Sequence, residues 1–122
     1  MTVDILILTD SREQRRSQKK YWYSMKCDLN GELKKTEGTG QIDGTYHQAT
    51  LAALISAMSR LKRPADVCIH TQDRYVRSAI TGSLPKWAQS GFVAAGGREL
   101  ANRKEWEEVW RYSKGHRVTA AG

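Results

Sequence analysis

Residues 70–106 read HTQDRYVRSAITGSLPKWAQSGFVAAGGRELANRKEW, and the rest of the chain falls into place around them. Val67 to Thr71 leads into this segment as an apolar run, which predicts a buried strand. Asp73 follows at a helix cap position, where a short carboxylate accepts from the N–H groups that a helix start leaves unpaired. Tyr75, Val76, Ala79 and Ile80 supply the apolar face of that short helix. Gly82, Pro85, Gly91, Gly96 and Gly97 break any regular period, so residues 82–101 read as an irregular excursion. A helix resumes near Asn102 and buries Trp106, Val109 and Trp110.

Upstream, Leu51, Leu54, Ile55, Met58 and Leu61 recur at helical spacing, predicting a helix from about Tyr46 to Lys62 that Pro64 ends. Val3 to Leu8 is an apolar run broken only by Asp4, as expected of a central strand covered on both faces. Tyr21, Tyr23, Met25 and Cys27 alternate with polar residues and predict a half-buried strand. Asn30-Gly31 then signals a tight hairpin, because both residues tolerate positive φ, so a third strand over Glu32–Gly40 pairs antiparallel with the second. Arg117–Ala121 reads as a short terminal strand.

The order β-β-β-α-β-α, excursion, α-β predicts an α/β fold with a mixed five-stranded sheet. The helix before the fourth strand lets that strand lie parallel beside the first. Their carboxy ends are then neighbours, about 5 Å apart, on the edge where such sheets bind ligands. Asp10 stands at one tip and Gln72 at the other.

At 122 residues the chain makes one domain, 1–122, with a single core. The apolar content of 39% fits a soluble globular protein. No run is long enough to cross a bilayer, and Asp4 interrupts the short VDILIL stretch, so neither membrane span nor signal peptide is expected. The location expected is cytoplasmic. Cys27 and Cys68 are expected to be reduced, and neither CxxC nor HxxxH spacing points to zinc. The net charge of +7 attracts polyanions, nucleic acid above all, and Arg12, Arg15, Arg16, Lys19 and Lys20 concentrate it in one loop.

The opening segment also resembles a known family. Thr71, Tyr75, Val76, Ile80, Leu84-Pro85-Lys86-Trp87, Gly91, Asn102-Arg103 and Trp106 match the fourth strand, following helix and basic handle of bacterial type 1 ribonuclease H. Thr9-Asp10 and the helix GTYHQATLAAL fit the same order, so the resemblance spans nearly the whole chain, with residues 82–101 as the handle. The family's final helix has no counterpart. A bacterium or a bacterial mobile element is the expected source.

Family enzymes cleave the RNA strand of RNA–DNA hybrids with two divalent ions held by four carboxylates. The resemblance places the first carboxylate at Asp10. The second, a glutamate in a pattern like TNNRMEL, has become Thr50, and the aspartate of YTDS has become Gln72. No residue before Gly122 corresponds to the fourth. Asp73, one residue beyond Gln72, reads first as the helix cap and second as a substitute for Gln72. His47, one turn before Thr50, reads first as a surface or hydrogen-bonding residue and second as a ligand facing the same cleft. The family's glycine-rich turn is replaced by SREQRRSQKK, and its two groove-reading asparagines by Tyr46 and His47.

The reading favoured by these residues is a ribonuclease H-like, catalytically inactive module that binds an RNA–DNA hybrid or other duplex. Its contacts are assigned to Arg12, Arg15, Arg16, His47, Lys86, Trp87, Asn102 and Arg103. It needs no cofactor, or at most weakly held Mg²⁺ or Mn²⁺ at Asp10. Two alternatives stand beside it: a divergent metal-dependent ribonuclease H that uses Asp10, and a protein-interaction domain, as homo-oligomer or with another partner, whose cleft is vestigial.

Overall fold

In the computed structural model, which describes residues 1–122, β1 (Thr2–Thr9) occupies the middle of a five-stranded sheet ordered β3-β2-β1-β4-β5. β2 (Ser17–Leu29) runs antiparallel to β1, with Ile5 opposite Met25 and Ile7 opposite Tyr23. β3 (Glu32–Gly44) pairs antiparallel with β2, while β4 (Asp66–His70) runs parallel to β1 and β5 (Arg117–Ala121) parallel to β4. The mixed topology predicted from the element order is therefore present.

The β2–β3 turn forms as its residues require. Asn30 (φ 54°) and Gly31 (φ 83°) both lie in the left-handed region, and Asp28 Oδ1 accepts from Gly31 N at 3.0 Å. β3 continues four residues past the predicted Gly40, because β2 pairs with it as far as Ser17 opposite Gly44. Its glycines, weak strand formers, have a packing reason: the rings of Tyr23 and Tyr21 occupy the space that a Cβ at Gly38 and Gly40 would need.

α1 (Tyr46–Met58) starts at a capping box, in which Thr45 Oγ1 accepts from Gln48 N and Gln48 Oε1 accepts from Thr45 N. It ends before the predicted Lys62, because the chain tightens: Arg60 N and Leu61 N donate to Ala57 O and Met58 O, three residues back. α2 (Arg74–Ser78) passes through a π-helical turn over Ala79–Ser83 into α3 (Leu84–Gln89). The predicted excursion over 82–101 thus begins in helix. Pro85 lies in the first turn of α3, where a missing N–H breaks no bond, so it starts a helix rather than a loop. Irregular chain follows, pinned by one bridge between Val93 and Glu99, before α4 (Arg103–Ser113).

α1 lies across β1, β2 and β3 and packs against α4. Together they bury Val3, Ile5, Ile7, Met25, Val67 and Ile69 with Leu51, Leu54, Trp106 and Val109. The other face of the sheet is open, which corrects the expectation that β1 is covered twice. Asp4, Leu6 and Leu8 point to that side, and Leu6 and Leu8 are 44% and 53% exposed. A mostly apolar run tells that a strand is central, not how many layers lie over it, and Asp4 within it already marks the open side. Cys27 and Cys68 are both free thiols.

Candidate nucleic-acid interface at the carboxy edge of the sheet

Asp10 follows the last residue of β1 and is tied to β2: its N donates to Lys20 O at 3.1 Å, and its Oδ1 accepts from Lys20 N at 3.0 Å. The carboxylate is exposed. Gln72 stands beyond the end of β4, also exposed. Thr71 beside it is buried; its N donates to Ala121 O and its carbonyl accepts from Arg77 Nη1.

Thr50 and Asp73 face inward. Thr50 is fully buried in α1, and its hydroxyl donates to Tyr46 O at 3.2 Å, one turn back. Asp73 is fully buried as well. Its Oδ1 accepts from Val76 N, capping α2, and its Oδ2 pairs with His47 Nδ1 at 2.9 Å. The cap predicted from sequence is formed. His47 meets Gln14 Nε2 with its other ring nitrogen at 3.0 Å, and its ring lies 4.3 Å from that of Tyr75. Tyr75 in turn accepts from Trp106 Nε1 at 3.0 Å. A polar chain therefore runs from the loop after β1 through His47 to the capping aspartate.

Tyr46 is buried beside this chain. Burial, reinforced by the Asp73 charge and opposed by Arg12 and Arg77, raises its pKa above the ordinary 10.0, so the phenol is neutral at physiological pH. The resemblance places Tyr46 at the site, in the position of a groove-reading asparagine, whereas sequence reasoning misses Gln14 and the contact of Tyr75 with His47, for which no local pattern gives a signal.

The basic loop is shorter than predicted, because β2 begins at Ser17. Arg12, Arg15 and Arg16 are exposed on it; Arg15 stands 3.7 Å from Glu13, and Arg16 stands 3.5 Å from Asp43. Lys19 is not part of this charged surface. It is fully buried, and its Nζ donates to Arg15 O, Ser17 Oγ and Gly44 O, each at 2.8 Å. The ammonium holds the loop against the end of β3.

In the handle, Lys86 is exposed and Trp87 half-buried, with its ring 5.4 Å from that of Trp106. Asn102 enters α4 with φ 58° and makes no side-chain cap bond, and Arg103 Nε pairs with Glu107 at 2.6 Å. Arg12, Lys86, Trp87 and Arg103 are therefore accessible in whole or part, whereas His47 is committed to internal bonds.

The family model for RNase H matches residues 3–121. The chain belongs to the ribonuclease H family. Ribonuclease H of Xanthomonas campestris is 34% identical over 97 residues, covering 71% of this chain and 64% of that one. Ribonuclease H of Campylobacter curvus is 33% identical over 94 residues, covering 77% and 62%. This ribonuclease H domain thus spans less than two thirds of the length of those relatives. Among solved structures, LC9-RNase H1, a type 1 RNase H with the type 2 active-site motif, superposes with a TM-score of 0.70 at 19% identity, covering 98% of this chain and 62% of that one. The foamy viral protease-reverse transcriptase in complex with an RNA/DNA hybrid gives 0.73 at 17% identity, covering 98% of this chain and 17% of that one. At these identities the likeness is one of fold.

The donor set at the edge does not fit the family's pair of divalent ions. Such ions need anionic oxygen ligands. Asp10 offers one carboxylate, Gln72 a neutral amide, and Thr50 a hydroxyl turned to its own helix. Asp73 has both oxygens occupied.

Proposed function

We propose that this ribonuclease H domain binds nucleic acid, an RNA–DNA hybrid or a related duplex, without hydrolysing it. One observation carries the reading: at the carboxy edge of β1 and β4 only Asp10 is an available carboxylate, since Thr50 and Asp73 are both buried and hydrogen-bonded internally. A single carboxylate cannot balance two dications or orient an attacking water between them. Binding draws instead on charge. Arg12, Arg15, Arg16, Lys86 and Arg103 present cations for phosphates, and Trp87 offers an aromatic surface beside Lys86. The foamy viral neighbour, which shares the fold, was solved on an RNA/DNA hybrid.

The test is incubation with an end-labelled RNA–DNA hybrid and Mg²⁺ or Mn²⁺, with Asp10→Asn in parallel. Retention of the hybrid by both proteins without cleavage is expected. Cutting by the parent protein that disappears in Asp10→Asn overturns the reading and restores the divergent nuclease.

A second reading, association with another protein, is favoured by the apolar stripe of Leu6, Leu8 and Trp22 on the open face, each more than 40% exposed. Under this reading, Leu8→Ser abolishes self-association or partner binding and leaves nucleic-acid affinity unchanged. A sedimentation coefficient that Leu8→Ser leaves unaltered across a concentration series, together with undiminished partner binding, removes it.

A further inference from the structure

The open face of the sheet carries a group of side chains that the nucleic-acid reading does not use. Asp4 on β1 is the register partner of Cys68 on β4, and His70 lies two residues further along β4 on the same face. A carboxylate oxygen of Asp4, Cys68 Sγ and a ring nitrogen of His70 all lie within 4.8 Å of one another, and His70 Nε2 stands 2.9 Å from Asp4 Oδ1. The geometry points to a transition-metal site here, formed by Asp4, Cys68 and His70 and suited to Zn²⁺.

The argument rests on donor type, spacing and access. A thiolate, an imidazole and a carboxylate together select zinc-like ions over magnesium, which prefers oxygen alone. Tetrahedral zinc, with bonds of about 2.0–2.3 Å, holds its ligand atoms about 3.3–3.8 Å apart. The three atoms lie within reach of that arrangement once the Asp4–His70 contact opens slightly. Such opening is easy, because the Asp4 and His70 side chains are 60% and 36% exposed. The backbone is already fixed, since Asp4 and Cys68 sit on paired, central strands. Three protein ligands on an open face leave the fourth position to water, the arrangement of an accessible zinc site rather than a closed structural one. Lys26 stands opposite Asp4 on β2 but forms no ion pair with it, so the carboxylate is available.

The signal is nearly invisible in sequence. Cys68 and His70 are spaced C-x-H, which places both on one face of a strand, and the third ligand comes from 64 residues earlier by strand register. The site is also separate from the Asp10 edge in chemistry, because it contains sulfur.

Cobalt is the probe. The full chain, kept reduced, is titrated with Co²⁺ and then with Zn²⁺, following thiolate-to-cobalt charge-transfer absorption in the near ultraviolet. The expected result is one Co²⁺ per chain, a thiolate band that Zn²⁺ abolishes and excess Mg²⁺ does not, and a Tm that rises with Zn²⁺. Cys68→Ser loses the band, and His70→Ala, a half-exposed position that leaves the fold intact, weakens binding by more than the roughly 10–100-fold that an outer-shell partner contributes. Cys27→Ser retains both band and affinity. Absence of a thiolate band, or a band that follows Cys27 rather than Cys68, overturns the proposal. Neither result bears on nucleic-acid binding, which is read separately with Zn²⁺ withheld.

Discussion

Asp73 and Gln72 are adjacent, yet one is fully buried and doubly bonded while the other is exposed at a strand tip. Replacing Asp73 by Ala removes the α2 cap and leaves His47 Nδ1 without its partner, a loss of about 2–3 kcal/mol in urea denaturation. Gln72→Ala changes stability by less than about 0.5 kcal/mol. A reversal of that order would mean that Asp73 is not held as described. The cap is legible in the sequence, because an aspartate before an apolar helical pattern has one common use. The pairing with His47 is not, since it depends on α1 and the end of β4 meeting in space across 26 residues. Tyr46 supplies a pH signature. Its folded pKa is raised above 10.0, so the unfolded chain ionises first as pH rises, and stability is lost from about pH 10 upward through the folded value. Tyr46→Phe should therefore lose less stability than the parent between about pH 9 and about pH 11, measured by urea unfolding at each pH.

At the scale of elements, the β2–β3 hairpin and the loop that precedes it are set by opposite kinds of residue. Gly31 has φ 83° and open space where a side chain would go, so Gly31→Ala reports backbone strain alone, about 1 kcal/mol. Lys19 reports the reverse. Its Nζ satisfies two carbonyls and a hydroxyl, so Lys19→Met leaves buried Gly44 O and its companions unpaired and costs about 2–4 kcal/mol. Amide exchange at Tyr46, whose N–H donates to Glu13 O, should accelerate as the loop loosens. An exchange rate unchanged in Lys19→Met would show that the ammonium does not hold the loop. The hairpin can be read from two residues because its turn chemistry is local. The role of Lys19 cannot, since in composition it is one more cation in a basic run, and only the long pairing of β2 with β3 brings Gly44 over it. The start of the handle escapes sequence reading for a related reason: Gly82 and Pro85 break helices in isolation but are accommodated by a π-helical turn and a helix first turn.

For the molecule as a whole, the net charge of +7 predicts nucleic-acid affinity only if the cations are free to meet phosphates. The structure removes Lys19 from that set by burial and pairs Arg103 with Glu107, while leaving Lys86 without an ion-pair partner. This division makes the binding reading testable through salt dependence. Each phosphate contact releases counterions and adds about 0.9 to the magnitude of the slope of log K against log salt on a B-form duplex. Lys86→Ala should weaken binding similarly across sequences and lower that magnitude by about 1. Glu107→Gln acts in the opposite direction, because it removes a competing anion and frees the Arg103 guanidinium. It should tighten binding and steepen the slope, with little effect on stability, since an exposed i,i+4 pair contributes only about 0.3–0.5 kcal/mol. Fluorescence anisotropy with a labelled RNA–DNA hybrid over a series of salt concentrations measures both variants against the parent. A flat parent slope, or two variants that leave it unmoved, would mean that the positive charge of this ribonuclease H domain does not serve phosphate binding at the handle.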